Sequence, residues 1–112
     1  MFPLWEVYVM MPPVRVISVK RLREFWERPE GRDSEQALRA WYTEAKKARW
    51  KGPHEIKAQY RSASLVGKDR VVFNICGNKY RLVVVVRYDF GIVFVRFIGS
   101  HRQYDRITVE EI

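Results

Sequence analysis

Ser100, His101, Arg102, Gln103, Tyr104, Asp105 and Arg106 follow directly on a long apolar run near the C-terminal end of the chain. Histidine and tyrosine move protons, and arginine stabilises negative charge that develops on an oxyanion. Upstream, Asn74, Lys79 and Arg81 stand at strand spacing in a segment that leads to the same place. These residue types suit phosphodiester cleavage without a metal. RNA carries its own nucleophile in the 2′-hydroxyl, so a protein need only orient the backbone, neutralise charge and transfer a proton. Arginine and lysine can do the electrostatic part, and His101 or Tyr104 is the candidate acid or base.

Other chemistries find little support. There is no phosphate-binding glycine loop, dinucleotide fingerprint, nucleophile elbow or HExxH helix. His54 and His101 are the two histidines and Cys76 the one cysteine. That set is too small for a typical zinc site and cannot make an internal disulfide. Cys76 lies in a strand pattern, where a free thiol usually packs as a small hydrophobe. The carboxylates are scattered along helix faces and do not suggest a glycosidase pair.

Lys and Arg number 21 against 13 Asp and Glu, a formal charge of +8 over 112 residues. Such a balance favours nucleic acid, an acidic partner protein or an anionic surface, and says nothing of fold. The longest apolar run, Leu82–Val86, is far shorter than a membrane span needs. With no disulfide chemistry, the expected location is the cytoplasm. The length fits one domain, residues 14–112, with Met1–Pro13 as an N-terminal extension. That extension reads either as the product of an upstream start codon or as an extra edge strand over 6–11.

The elements that must position the polar residues follow from periodicity. Val14–Ser18 predicts a short strand, with Ser18 as cap of a helix whose Leu22, Phe25 and Trp26 share a face. Pro29, Gly31 and Asp33 end it. Asp33 with Gln36 predicts a capping box for a second helix, and Ala37, Leu38, Trp41, Tyr42, Ala45 and Ala48 form its apolar face. Lys46, Lys47, Arg49 and Lys51 gather at its end, which suits the helix dipole. Gly52-Pro53 breaks it, and His54–Tyr60 predicts a further short helix. Trp41 and Trp50 are expected in the core.

Strand period then takes over. Ser64–Val66, Arg70–Cys76, Lys79–Tyr88 and Ile92–Ile98 read as strands, with a tight turn at Gly77-Asn78. The class is α+β, with helices packed on one face of an antiparallel sheet. The turn sets Asn74 opposite Arg81, on the face away from Phe73, Ile75, Tyr80 and Leu82. If four residues link Arg87 to Ile92, Arg81 lies near Ile98 and Arg96 shares its face. If three do, Arg96 turns under the helices, where an unpaired charge is costly. The first register is therefore expected. The result is a basic patch of Lys79, Arg81 and His101 with Arg96. The same residues also read as an ordinary wet sheet face, as a non-catalytic RNA- or ribosome-binding module, or as a regulatory surface for an acidic partner.

The pattern Asn74-x-x-Gly77-Asn78-Lys79-x-Arg81-Leu82-Val83-Val84, then Phe97-x-Gly99-x-His101-x-x-Tyr104-Asp105, resembles HigB-type toxins of type II toxin–antitoxin pairs. Val16-Ile17-Ser18, Ile56-Lys57-Ala58-Gln59-Tyr60 and Ser62-Ala63-Ser64 resemble the same family. The resemblance runs from Val14 to Ile107. It implies a RelE-like fold, with two to three N-terminal helices packed on one face of a small antiparallel sheet and RNA met by the other. It also implies a ribosome-dependent mRNA endoribonuclease that needs no metal or organic cofactor. The implied partners are a cognate helix-turn-helix antitoxin (HigA-like), mRNA on the ribosome, and operator DNA only through the antitoxin. No membrane partner is implied. Residue by residue it points to Asn78, Arg81, His101, Tyr104 and Asp105, and Lys57 matches a recurrent lysine. Asp105 also reads as a capping or ion-pairing residue, and Asn78 as a turn residue that tolerates positive φ. The expected catalytic set is thus Arg81, His101 and Tyr104. Lys57, Lys79, Arg96 and Asn74 are the expected RNA contacts.

Overall fold

The computed structural model describes residues 14–112; both readings of Met1–Pro13 lie outside them. Strand β1 (Arg15–Ile17) leads into helix α1 (Val19–Glu27), which buries Leu22, Phe25 and Trp26. Ser18 occupies the N-cap position, but its side chain makes no capping bond. A 3-10 segment, Pro29–Ser34, connects to helix α2 (Glu35–Lys47), whose Leu38, Trp41 and Ala45 are buried. The expected capping box of Asp33 and Gln36 is absent. Ser34 takes the cap position, and the Asp33 carboxylate is drawn instead to the Lys79 ammonium and the Tyr80 hydroxyl. Those partners come from a distant turn, so local pattern could not reveal them. Helix α3 (Pro53–Gln59) follows with Ile56 buried.

Strands β2 (Ser64–Val66), β3 (Arg70–Ile75), β4 (Tyr80–Arg87) and β5 (Ile92–Ser100) form a meander. The described sheet has five strands in the order β1-β5-β4-β3-β2. It is mixed rather than antiparallel, because β1 pairs parallel with β5, Val16 opposite Val93. A parallel neighbour requires a long crossover, here everything between the first strand and the last. The short, half-exposed β1 carries no local sign of its direction.

The main core joins Leu22, Phe25, Trp26, Leu38, Trp41, Ala45, Trp50 and Ile56 to Phe73, Ile75, Leu82, Val84, Val93 and Val95 on one sheet face. The opposite face is not simply wet. Val72 and Val83 are covered by Val109, with Phe97, Tyr104, Ile107 and Ile112 packed around them. The chain beyond helix α4 (His101–Tyr104) folds back across that face through a 3-10 turn at Val109–Glu111. Arg70 fastens it by donating from Nε and Nη2 to the Ile112 carbonyl at 3.1 and 2.7 Å.

Two local features set the site's register. At the β3–β4 turn, Lys79 N donates to the Cys76 carbonyl at 3.2 Å, and Asn74 opposes Arg81 as expected. The left-handed conformations fall on Cys76 (φ 54) and Gly77 (φ 65), not on Asn78. Between β4 and β5, Arg87 opposes Ile92, the four-residue link. However, Val84 faces Val95 while Val83 faces Phe97, so Arg96 is the extra residue of a β-bulge. Arg81 consequently lies opposite Gly99 rather than Ile98. Arg21 on α1 donates to the Arg96 carbonyl at 2.8 Å and so satisfies a group beside the bulge.

Candidate functional site

Arg81 is the one charged side chain among the described residues that is classed as buried, at 9% exposure. A buried guanidinium must find acceptors, and the β3–β4 turn supplies them. Nη1 donates to the Asn78 carbonyl at 3.0 Å and the Tyr80 carbonyl at 3.2 Å. Nη2 reaches Asn78 Oδ1 at 3.4 Å and His101 Nδ1 at 3.1 Å. Both terminal nitrogens are therefore engaged before any ligand arrives. The expected open face at Arg81 is corrected: packing under the turn and α4 leaves the guanidinium 9% exposed and bonded within the protein. A guanidinium can only donate, so Nδ1 of His101 accepts and the neutral ring carries its proton on Nε2.

His101 owes its place to the strand end. Its backbone N–H donates to the Lys79 carbonyl at 3.2 Å, extending the β4–β5 pairing by one step. Ser100 then starts α4 with a complete capping box: Gln103 N donates to Ser100 Oγ at 3.1 Å, and Ser100 N donates to Gln103 Oε1 at 2.9 Å. One turn of helix puts Asp105 beside the ring, with Oδ1 3.5 Å from His101 Nε2. The imidazole side chain is 53% exposed and the Asp105 side chain 62%, so the Nε2 edge faces solvent. Tyr104 closes the group. Its ring lies 6.0 Å from the Arg81 guanidinium carbon and 6.5 Å from the Phe97 ring centroid.

Arg81, His101 and Tyr104 are thus brought together, and the expected RNA contacts disperse. Asn74 stays nearby, opposite Arg81 and half-buried. Lys79 is pulled toward the helix layer by its ion pair with Asp33 and lies 5.5 Å from the Tyr80 ring. That bond holds the Asp33 carboxyl below its ordinary range, helped by the Tyr80 hydroxyl, and raises Lys79. Tyr80 is pushed up, first by burial and then by Asp33. Arg96 is exposed as expected but lies over the Phe94 ring at 5.6 Å, apart from the Arg81 group. Lys57 donates from Nζ to the Ala63 carbonyl at 2.5 Å, tying α3 to the approach of β2. The side chains of Lys79, Arg96 and Lys57 thus meet Asp33, Phe94 and the Ala63 carbonyl rather than Arg81, and only the Phe94 contact follows strand spacing.

Asp105, expected as a cap or ion-pairing residue, faces His101 at an i, i+4 spacing that is legible in the sequence. Arg102 and Arg106 add exposed cations next to it. Cys76 is held by its Sγ contact to the Asp33 carbonyl at 3.5 Å, and its thiol is pushed up, chiefly by burial. Among the described residues no three His, Cys, Asp or Glu side chains gather so as to hold a metal ion. Likewise, no described helix is long and apolar enough to cross a membrane.

Comparison with known families gives a match. The model of the HigB_toxin family, the RelE-like toxic component of a toxin–antitoxin system, covers residues 34–107, more than half of the 112-residue chain. The matched span contains α2, α3, the β2–β5 meander and the whole Arg81–His101–Tyr104 group. No curated protein is significantly similar to the chain.

Proposed function

The chain belongs to this family of RelE-like toxic components of toxin–antitoxin systems, and on that premise we propose that it is an mRNA endoribonuclease acting on ribosome-bound messages without a metal. The observation that carries the reading is the imidazole of His101, braced through Nδ1 by a buried arginine and open at Nε2. Such a ring presents one defined N–H donor to solvent at the end of a rigid strand, where it can meet negative charge developing on a phosphate.

In the proposed reaction the RNA 2′-oxygen attacks the adjacent phosphorus and the bond to the 5′-oxygen breaks. This leaves a 2′,3′-cyclic phosphate and a 5′-hydroxyl. The Asp105 carboxylate takes the proton of the 2′-hydroxyl, the Tyr104 hydroxyl gives its proton to the departing 5′-oxygen, and solvent carries the proton from Asp105 back to the Tyr104 phenolate. The neutral His101 ring donates a hydrogen bond from Nε2 to a phosphate oxygen, while Arg102 and Arg106 supply positive charge. Arg81 acts through His101 and is a positioning residue. Lys79, Arg96 and Asn74 are secondary candidates for backbone contact, and Lys57 takes a structural task through its bond to the Ala63 carbonyl.

The proposed setting is the cytoplasm. The proposed restraint is a cognate helix-turn-helix antitoxin of HigA type, and operator DNA is met only through it. The test is induced expression of the chain alone in bacteria, with growth followed and RNA 5′ ends mapped. Arrest with cuts confined to translated coding regions, relieved by His101→Ala, supports the reading. Normal growth with intact messages from soluble, folded protein refutes it.

A further inference from the structure

Helix α2 runs the length of the sheet, away from the His101 group. It starts next to Asp33, which bonds Lys79 and Tyr80 at the site end. It ends where the Ala48 carbonyl accepts from Val14 N at 3.3 Å, one residue from the Arg15 N–H that donates to the Gly91 carbonyl of the opposite turn. Its 13 residues span about 20 Å. Lys46, Lys47, Arg49 and Lys51 sit at this far end, and all four are exposed.

Upstream, Lys20 pairs with Glu24 and Arg39 with Glu35. The acids nearest the cluster bond neutral donors instead. Glu44 Oε1 accepts from the Tyr60 hydroxyl at 2.5 Å, and Glu55 Oε2 accepts from the Lys51 backbone N–H at 2.5 Å. Among the described residues no ion pair involves any of the four cations.

The backbone that carries them is also held in place. Between Arg49 and Lys51, Trp50 is 6% exposed and bonds Gln59 Oε1 from Nε1 at 3.0 Å. Its ring stacks near Phe73 at 6.5 Å and meets Tyr60 edge-on at 6.3 Å. Ala48 leaves the helix in extended conformation, and exposure then alternates out, in, out over Arg49, Trp50 and Lys51. Two outward residues flanking an inward one stand about 7 Å apart along an extended chain, the scale of neighbouring phosphates on one strand. The stem of Lys46 is steadied over the Tyr42 ring at 5.7 Å. The backbone is therefore ordered before binding, which leaves the side chains of Lys47, Arg49 and Lys51 to be ordered.

From this arrangement we propose that Lys46, Lys47, Arg49 and Lys51 form a second polyanion-binding surface, built for the phosphate backbone of double-stranded RNA. Phosphates fit better than an acidic peptide, which needs apolar anchors to hold register. Of the exposed large apolar side chains among the described residues, Ile17, Leu65 and Phe90, none lies between Lys46 and Lys51, and Phe90 sits in the neighbouring β4–β5 turn. A duplex fits better than a single strand, because Trp50 is buried and Tyr42 is covered, leaving no ring on which bases stack. The surface stands independently of cleavage. With cleavage at the other end, it would let the protein grip folded RNA with one end while the His101 end meets a single strand.

The test is fluorescence anisotropy of a labelled 20-base-pair RNA duplex with the purified chain, titrated across salt concentrations. The variant replaces Lys46, Lys47, Arg49 and Lys51 with Gln; a charge-matched control replaces the exposed Lys20, Arg23, Arg28 and Lys68. The expected result is at least tenfold weaker binding for the first variant and a salt slope shallower by about 2–3, with the control near wild type. Equal losses in both variants would reduce the effect to net charge and overturn the proposal. Unchanged binding in the first variant would do the same. Loss confined to a poly-glutamate probe, with duplex binding intact, would reassign the surface to an acidic protein and also overturn it. Should the fourfold variant fold poorly by circular dichroism, the pair Lys47→Gln/Arg49→Gln is expected to show about half the change in slope, and no change would count against the proposal.

Discussion

Arg81 Nη2 and His101 Nδ1 lie 3.1 Å apart, and this contact joins the buried turn of the sheet to the exposed helix that follows it. Because the guanidinium has no acceptor, the contact selects one tautomer of the ring. Nitrogen-15 NMR of the neutral His101 ring in the wild-type protein is expected to show a protonated Nε2. In Arg81→Ala the same measurement is expected to show a mixture of tautomers. A mixture in wild type would refute the bracing role.

Arg81→Ala also leaves the carbonyls of Asn78 and Tyr80 without their donor. Unfolding in urea is expected to show a loss of about 1–3 kcal/mol. Arg81→Lys is expected to recover only part of it, since a single ammonium cannot reproduce the planar fork that meets both carbonyls, Asn78 Oδ1 and the imidazole.

Gly99 lies opposite Arg81, and a Cβ there would come within 2.6 Å of Gln103 Oε1 and 2.7 Å of Phe97 Cζ. Gln103 closes the cap that starts α4, so Gly99→Ala is expected to shift His101 and Tyr104. Cleavage of a translated message should fall about tenfold or more, equivalent to about 1.4 kcal/mol in the barrier, while the far-UV spectrum stays unchanged. Ser100→Ala, which removes the cap alone, should cost about 1 kcal/mol of stability.

Lys57 is bound to the Ala63 carbonyl, which gives it a structural task at a position where the family resemblance suggested RNA contact. Lys57→Met is expected to lower stability by about 0.5–1.5 kcal/mol and to leave duplex and single-strand RNA affinity within about twofold. A tenfold loss of affinity with unchanged stability would restore the RNA-contact role.

Asp33 is held below its ordinary range by the Lys79 ammonium and then by the Tyr80 hydroxyl. Its folded-state value is depressed, so its contribution is present above the unfolded-state value and is lost as pH falls through the folded one. The thermal midpoint of wild type should exceed that of Asp33→Asn at neutral pH, and the gap should close below the ordinary carboxylate range. A gap that persists or widens on acidification would show that the ion pair does not carry the difference.

Much of this protein can be read from residue order, and the boundary has a physical cause. The faces of α1 and α2, the burial of Trp41 and Trp50, and the Asn74–Arg81 pairing depend on periodicity or on a four-residue turn. These are local consequences of backbone geometry. The grouping of Arg81, His101 and Tyr104 was also legible, because a paired strand and one helical turn separate them. Only the tertiary structure decided that β1 runs parallel to β5, that a bulge at Arg96 shifts Arg81 from Ile98 to Gly99, and that Lys79 turns to Asp33. It alone decided that Val109 and its neighbours cover the second sheet face. Each of these is a choice among partners distant in sequence, won by whichever buries apolar surface and satisfies polar groups at once. Arg81 shows the division most clearly: its address at the strand end was written in the sequence, and its role as a buried brace came from the acceptors the fold assembled around it.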